Sequence, residues 1–231
     1  MPADGHVDDL KVSHKDEDAV TAFAVIMGKK FGSDTTIKRG KVFDDLGMEL
    51  DFVSCSGTMI IYMIKCLQKI IQEFPEQLKG TTACPATDNP FKVCEEEDRE
   101  LLSEKMAKQF HRTTAQLLFL CKRARPYVEI LIFFLATRVK QPDKDDWKKL
   151  RHGLMYLKGT LHMKRYLTTD ILNNIIWWVD GSYGVYWDSK GHTGEIVSMG
   201  KTAIINISRK HKMNVGSSTE SELVSIAEFS V

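Results

Sequence analysis

The sequence predicts an α+β fold, and three observations carry that expectation. Met48-Glu49-Leu50-Asp51-Phe52 alternates apolar and polar residues as a half-buried strand does, and Thr58 to Tyr62 follows a turn as its return partner. Apolar residues then recur at helical spacing from Ile64 to Phe74, and in three further segments ending near Lys158. Between Ile175 and Phe229, three apolar segments separated by Gly- and Lys-bearing turns read as consecutive hairpin strands, with a helix after Gly216-Ser217-Ser218.

Composition bounds what such a chain can be. Its 231 residues fit one large domain or two smaller ones, and 43% hydrophobic with 27% charged residues is ordinary for a soluble globular protein. The net charge of +1 provides no bulk attraction to nucleic acid, so any basic surface must be local. Cys55, Cys66, Cys84, Cys94 and Cys121 are odd in number and lack Cys-x-x-Cys spacing, which argues against zinc and against a disulfide framework. Incidental thiols in a reducing compartment fit better. Met1 to Asp18 is acidic and polar rather than a signal peptide, so Asn206-Ile207-Ser208 carries no glycosylation meaning. The longest apolar run, Ile130 to Ala136, is too short to span a bilayer. The expectation is a soluble intracellular chain with no membrane partner.

Taken in order, His6-Val7-Asp8-Asp9-Leu10 is a short β-prone segment whose adjacent aspartates suit a hairpin tip. Asp16 to Gly32 reads as a helix, with acids in its first turn, Lys29 and Lys30 in its last, and Gly32 as its stop. Pro75 ends the helix that follows the 48–62 strands. Gln77 to Arg99, with Pro85, Pro90 and the run Glu95-Glu96-Glu97-Asp98, reads as an exposed linker. Helices resume through Phe110 to Leu120, Tyr127 to Lys140 and Asp143 to Lys158, with Arg125-Pro126 and Pro142 as junctions. His111 and Cys121 are expected to pack on a helix surface or in the core, not to bind metal.

The last of these helices carries two stripes. Trp147, Leu150, Leu154 and Leu157 form an apolar one, and Lys144, Lys148, Arg151 and Lys158 form a cationic one about 100° away around the axis. From Lys140 to Arg165 there are eight Lys or Arg against three Asp, so the cations can lie as a solvated face or as a track for a phosphate backbone.

In the final stretch an apolar strand ends in Asp180, within Val-Asp-Gly-Ser, and Glu222 lies on the first helix after the third strand. Two such carboxylates can converge, hold divalent metal, and clamp a phosphodiester for in-line hydrolysis. Ser217-Ser218-Thr219-Glu220 fits a helix capping box, and so does Thr219 to Glu222. Periodicity alone leaves open which acid caps the helix and which is free.

A strand-Asp, two more strands and then Ser-Ser-Thr-Glu-Ser-Glu-Leu resembles the ribonuclease H domain of copia-type retrotransposons. Val7-Asp8-Asp9-Leu10 is similar to the metal-binding hairpin of a reverse transcriptase palm, with His6 where a tyrosine is usual. Gly47-Met48-Glu49-Leu50 resembles the Leu-Gly-Met strand of the copia palm, and Arg125-Pro126 with Tyr156-Leu157-Lys158-Gly159-Thr160 resembles the segment joining palm to ribonuclease H. The resemblance covers essentially the whole chain. It implies residues 1–74 as the last part of the palm, 75–100 as a linker, 101–170 as the helical thumb and connection, and 171–231 as the first half of ribonuclease H. It implies RNA-directed DNA polymerase and hybrid-ribonuclease ancestry, with Mg2+ or Mn2+ on Asp8, Asp9, Asp180 and Glu222 in the intact family and no tight binding by this fragment. Its partners would be RNA, DNA, the RNA–DNA hybrid and the rest of the polyprotein, in a cytoplasmic virus-like particle or the nucleus.

The family's palm takes another metal-binding Asp from a strand upstream of the hairpin, and its ribonuclease H takes a third acid from a strand after the helix carrying Glu222. Neither falls between Met1 and Val231. The expectation is therefore an inactive fragment with both sites half present, and with apolar side chains such as Trp177, Ile204 and Ile207 short of cover. The alternative is a decayed or co-opted nucleic-acid-binding module without catalysis. A serine hydrolase built on Ser217, Asp180 and His192 is disfavoured, because Gly216-Ser217-Ser218 lacks the Gly-x-Ser-x-Gly elbow and nothing in the sequence sets a His beside a Ser.

Overall fold

The computed structural model describes residues 3–6, 9–32, 36–52, 57–168 and 174–229. They fall into two compact units, residues 1–40 and 41–231. In the first, β1 (Ala3–His6) and β2 (Asp9–Val12) form an antiparallel hairpin in which His6 faces Asp9. Helix α1 (Glu17–Phe31) begins where the Asp16 carboxylate accepts the Asp18 N–H at 2.9 Å. It stops at Gly32, whose φ of 61° a side chain would resist. Both ends lie where the acids, the lysines and the glycine place them.

The second unit opens with a four-stranded antiparallel sheet in the order β3 (Val42–Asp45), β4 (Met48–Asp51), β5 (Thr58–Tyr62), β6 (Arg165–Thr168). Only β4 and β5 are readable from local pattern. β3 joins β4 through Leu46-Gly47, both at positive φ (51° and 75°), the two-residue hairpin geometry that usually announces itself as Asn-Gly. β6 pairs with β5 across the whole intervening helical segment, so its four residues carry no local signal.

The core is formed by α2 (Ile64–Glu73), α3 (Glu104–Arg123), α4 (Glu129–Arg138) and α5 (Lys144–Gly159). The apolar stripe of α5, Trp147, Leu150, Leu154 and Leu157, is buried, as its spacing requires. The Asp143 carboxylate accepts the Asp145 and Asp146 N–H groups, and Asp146 accepts the Asp143 N–H in return, a complete capping box. Cys121 is buried in this core, and desolvation pushes its thiol up to about 12. His111 lies exposed on α3.

Residues 77–99 are exposed over most of their length, as a linker would be, but a few of them are anchored in the core. Leu78 is 5% exposed, and the Phe91 ring lies 5.8 Å from Phe134 and 4.9 Å from Tyr186. The Lys149 ammonium donates to the Lys92 carbonyl. The apolar residues of this segment are too widely spaced to show periodicity, yet Leu78, Ala86, Phe91 and Val93 pack in or against the core. Most of its other residues are exposed, among them the acidic run, which forms a single 3-10 turn at Glu96–Asp98.

Beyond β6, β7 (Ile176–Ser182), β8 (His192–Ser198) and β9 (Ala203–Lys210) form an antiparallel sheet in that order, against which α6 (Ser218–Phe229) packs. Polar contacts tie it to the helices. Lys122 pairs with the buried Glu129 and donates to the Asn206 carbonyl at 3.0 Å, and the Arg165 guanidinium bridges the carbonyls of Arg123 (2.9 Å) and Ala203 (2.8 Å). Arg125, 2% exposed, donates to Thr160 Oγ1, so the Arg-Pro junction and the Tyr-Leu-Lys-Gly-Thr segment meet in space. Trp177 and Ile204 are exposed as expected, whereas Ile207 is half-buried. Among the described residues, no helix is long and apolar enough to cross a membrane.

Candidate functional site

Asp180 sits on β7 after the apolar run Ile176-Trp177-Trp178-Val179, and its residue is exposed. β7 is an edge strand, with β8 on one side only among the described residues. At the start of α6 the ambiguity over the two acids disappears. The Glu220 N–H donates to Ser217 Oγ at 3.2 Å, and Glu220 Oε2 accepts the Gly216 N–H at 2.6 Å, a reciprocal cap that engages Glu220. Glu222 is left to face the sheet. Its Oε2 accepts the N–H of Gly181 at 3.1 Å, which places the half-buried carboxylate at the residue adjoining Asp180.

The Glu222 carboxylate thus lies against the peptide that joins Asp180 to Gly181, across a strand–helix junction. Two hard oxygen donors of this kind suit a small divalent cation, and the exposure of Asp180 leaves that side open to a phosphate group. Among the described residues, the one group of three potential ligand side chains within 4.8 Å lies elsewhere, at Cys94, Asp143 and Asp145. That cluster is already engaged. Asp143 caps α5 and pairs with Arg138 (3.2 Å) and Arg99 (3.4 Å), and Asp145 pairs with Lys149 (2.9 Å). Burial, and then the two acids, push the Cys94 thiol up, so it stays protonated.

The other expected site residues lie on other elements or outside the described residues. Asp8 lies outside the described residues, and Asp9 opens β2 in the first unit. On α5, Lys144 pairs with Glu100, Arg151 with Glu76 at 3.4 Å, and the Lys158 ammonium donates to the Leu78 carbonyl at 2.6 Å. Lys148 is exposed and has no ion pair among the described residues. The stripe exists on one face, but three of its four cations already have partners within the chain.

A buried polar network lies at the same end of the β7–β9 sheet as Asp180, and no local sequence signal reveals it because the β7–β8 connection and two strands bring its members together only in the fold. The Tyr186 hydroxyl lies 2.9 Å from His192 Nδ1, and His192 Nε2 lies 2.7 Å from Ser208 Oγ. A His does stand beside a Ser, contrary to the reading from sequence, but all three residues are buried and the serine is not Ser217. Desolvation lowers His192 to about 4, so it stays neutral and works as a packed hydrogen-bond bridge. No family model, no curated protein and no solved structure matches the chain.

Proposed function

We propose that this chain is a fragment of a copia-type retrotransposon polyprotein, in which Asp180 and Glu222 are two of the metal-binding acids of a ribonuclease H-like site. The observation that carries the reading is the division of labour on α6. Glu220 is consumed by the helix cap, and Glu222 reaches the strand residue next to Asp180, as the resemblance to Ser-Ser-Thr-Glu-Ser-Glu-Leu requires. Asp180 and Glu222 would hold Mg2+ or Mn2+, and the bound ion would supply Lewis acidity toward a phosphodiester and an activated water. Within the chain, Gly181 orients Glu222 through its N–H, and the exposed Asp180 meets the incoming backbone. The substrate class is the RNA strand of an RNA–DNA hybrid. The hairpin acids Asp8 and Asp9 belong to the same reading as the end of a reverse transcriptase palm. By themselves, two carboxylates give too few ligands for the two-metal clamp, so hydrolysis by these residues alone falls below detection.

The test adds the family's third acid. A chimera carrying, after α6, the ribonuclease H strand that bears it should cleave an RNA–DNA hybrid with Mg2+ or Mn2+. Cleavage should vanish in Asp180→Asn and in Glu222→Gln, and persist in Glu220→Gln. A well-folded chimera that is inactive, or one indifferent to Asp180→Asn, contradicts the proposal.

A further inference from the structure

Gly181 is buried between Asp180 and the helix that carries Glu222, and it is held in a space no side chain fits. A Cβ there would stand 2.6 Å from Ser225 Oγ, 2.7 Å from the Ser221 carbonyl oxygen and 2.9 Å from its carbon. Two of those three atoms are α6 backbone, which cannot turn aside as a side chain can. The third is also fixed. The Ser225 hydroxyl donates to the Ser221 carbonyl at 2.9 Å, with Thr193 Oγ1 at 2.9 Å and His211 Nε2 at 3.2 Å, and it is fully buried. Any residue larger than glycine must therefore move the helix.

We infer that Gly181 is the positioning residue of the acid pair: its missing side chain lets α6 close onto β7, and its N–H then seats the Glu222 carboxylate beside Asp180. The inference rests on the reading of Asp180 and Glu222 as metal ligands and adds the element that sets their spacing. Gly194 supplies a matched control. It pairs with Asp180 on the neighbouring strand, and a Cβ there would meet nothing within 4 Å.

The full 231-residue chain serves for the test, with Mn2+ binding read by electron paramagnetic resonance and backbone amides read by nuclear magnetic resonance. Gly181→Ala should weaken Mn2+ binding about tenfold or more, the usual range when a group orienting a metal ligand is lost. Gly194→Ala should leave it unchanged, and β9 amides away from Ser208, the register partner of Gly194, should keep their shifts in both variants. Independently of metal, Glu222→Ala in the otherwise unaltered chain should move the Gly181 amide resonance upfield as its acceptor disappears. That measurement also decides the matter if Gly181→Ala does not fold. Equal Mn2+ affinity in Gly181→Ala and the unaltered chain, or a Gly181 amide indifferent to Glu222→Ala, overturns the inference. Absence of Mn2+ binding in the unaltered chain overturns the metal reading beneath it, while a responsive Gly181 amide would still locate α6.

Discussion

Acid should loosen the β8–β9 region through His192. The imidazole is sealed by Tyr186, Ser208 and the Phe91 ring, and His211 adds to the forces that disfavour its charge. Its folded-state value is lowered by desolvation to about 4, against 6.5 in an unfolded chain. A group lowered on folding contributes stability that is present above the unfolded value and lost as pH falls through the folded one. The window therefore runs from about 6.5 down to about 4. The linkage relation makes the loss about 2 kcal/mol at pH 5 and roughly 3 kcal/mol once the ring is protonated in both states. Glu129 and Asp146, both raised by burial, act in the opposite direction over the acidic range, so the His192 contribution must be isolated. Urea unfolding of the chain and of His192→Gln, at intervals from pH 7.5 to 4.5, gives that difference. The unaltered chain should lose more stability than the variant by about 2 kcal/mol between pH 7 and 5. Parallel pH profiles, or an imidazole resonance titrating near 6.5, would refute the buried network.

Two further expectations concern the ties that join the helices to the last sheet and the cations of α5. Glu129→Ala leaves Lys122 without its acid partner and should cost about 2 kcal/mol, with amide exchange accelerating in β9 more than in β4. If the α5 face meets a phosphate backbone, Lys148→Ala should flatten the log–log salt dependence of hybrid binding by roughly one unit. Lys158→Ala should instead act mainly through stability, because its ammonium already holds the Leu78 carbonyl; binding unchanged when all four stripe cations are removed would place any nucleic-acid surface elsewhere.

Elements whose cause is local were legible. Asp16 and Gly32 bracket α1, the stripe of Trp147 to Leu157 marks the buried face of α5, and Asp180 falls on the first strand of the last sheet. What escaped depends on partners far along the chain. β6 exists because β5 offers an edge, Phe91 is packed because Phe134 and Tyr186 leave a place for it, and the α5 cations meet Glu76, Glu100 and Leu78 only after folding. The candidate site shows both sides of this. The acids were visible as residues, but two overlapping capping boxes made Glu220 and Glu222 equivalent until the Gly216 and Gly181 amides chose between them.

That choice is the centre of the account, and Mn2+ titration of the intact chain tests it most directly. Binding should weaken in Asp180→Asn and in Glu222→Gln, while Glu220→Gln should bind as the unaltered chain does, because glutamine at that position can also close the cap. Mn2+ binding that survives Asp180→Asn, or that falls as far in Glu220→Gln as in Glu222→Gln, would contradict it.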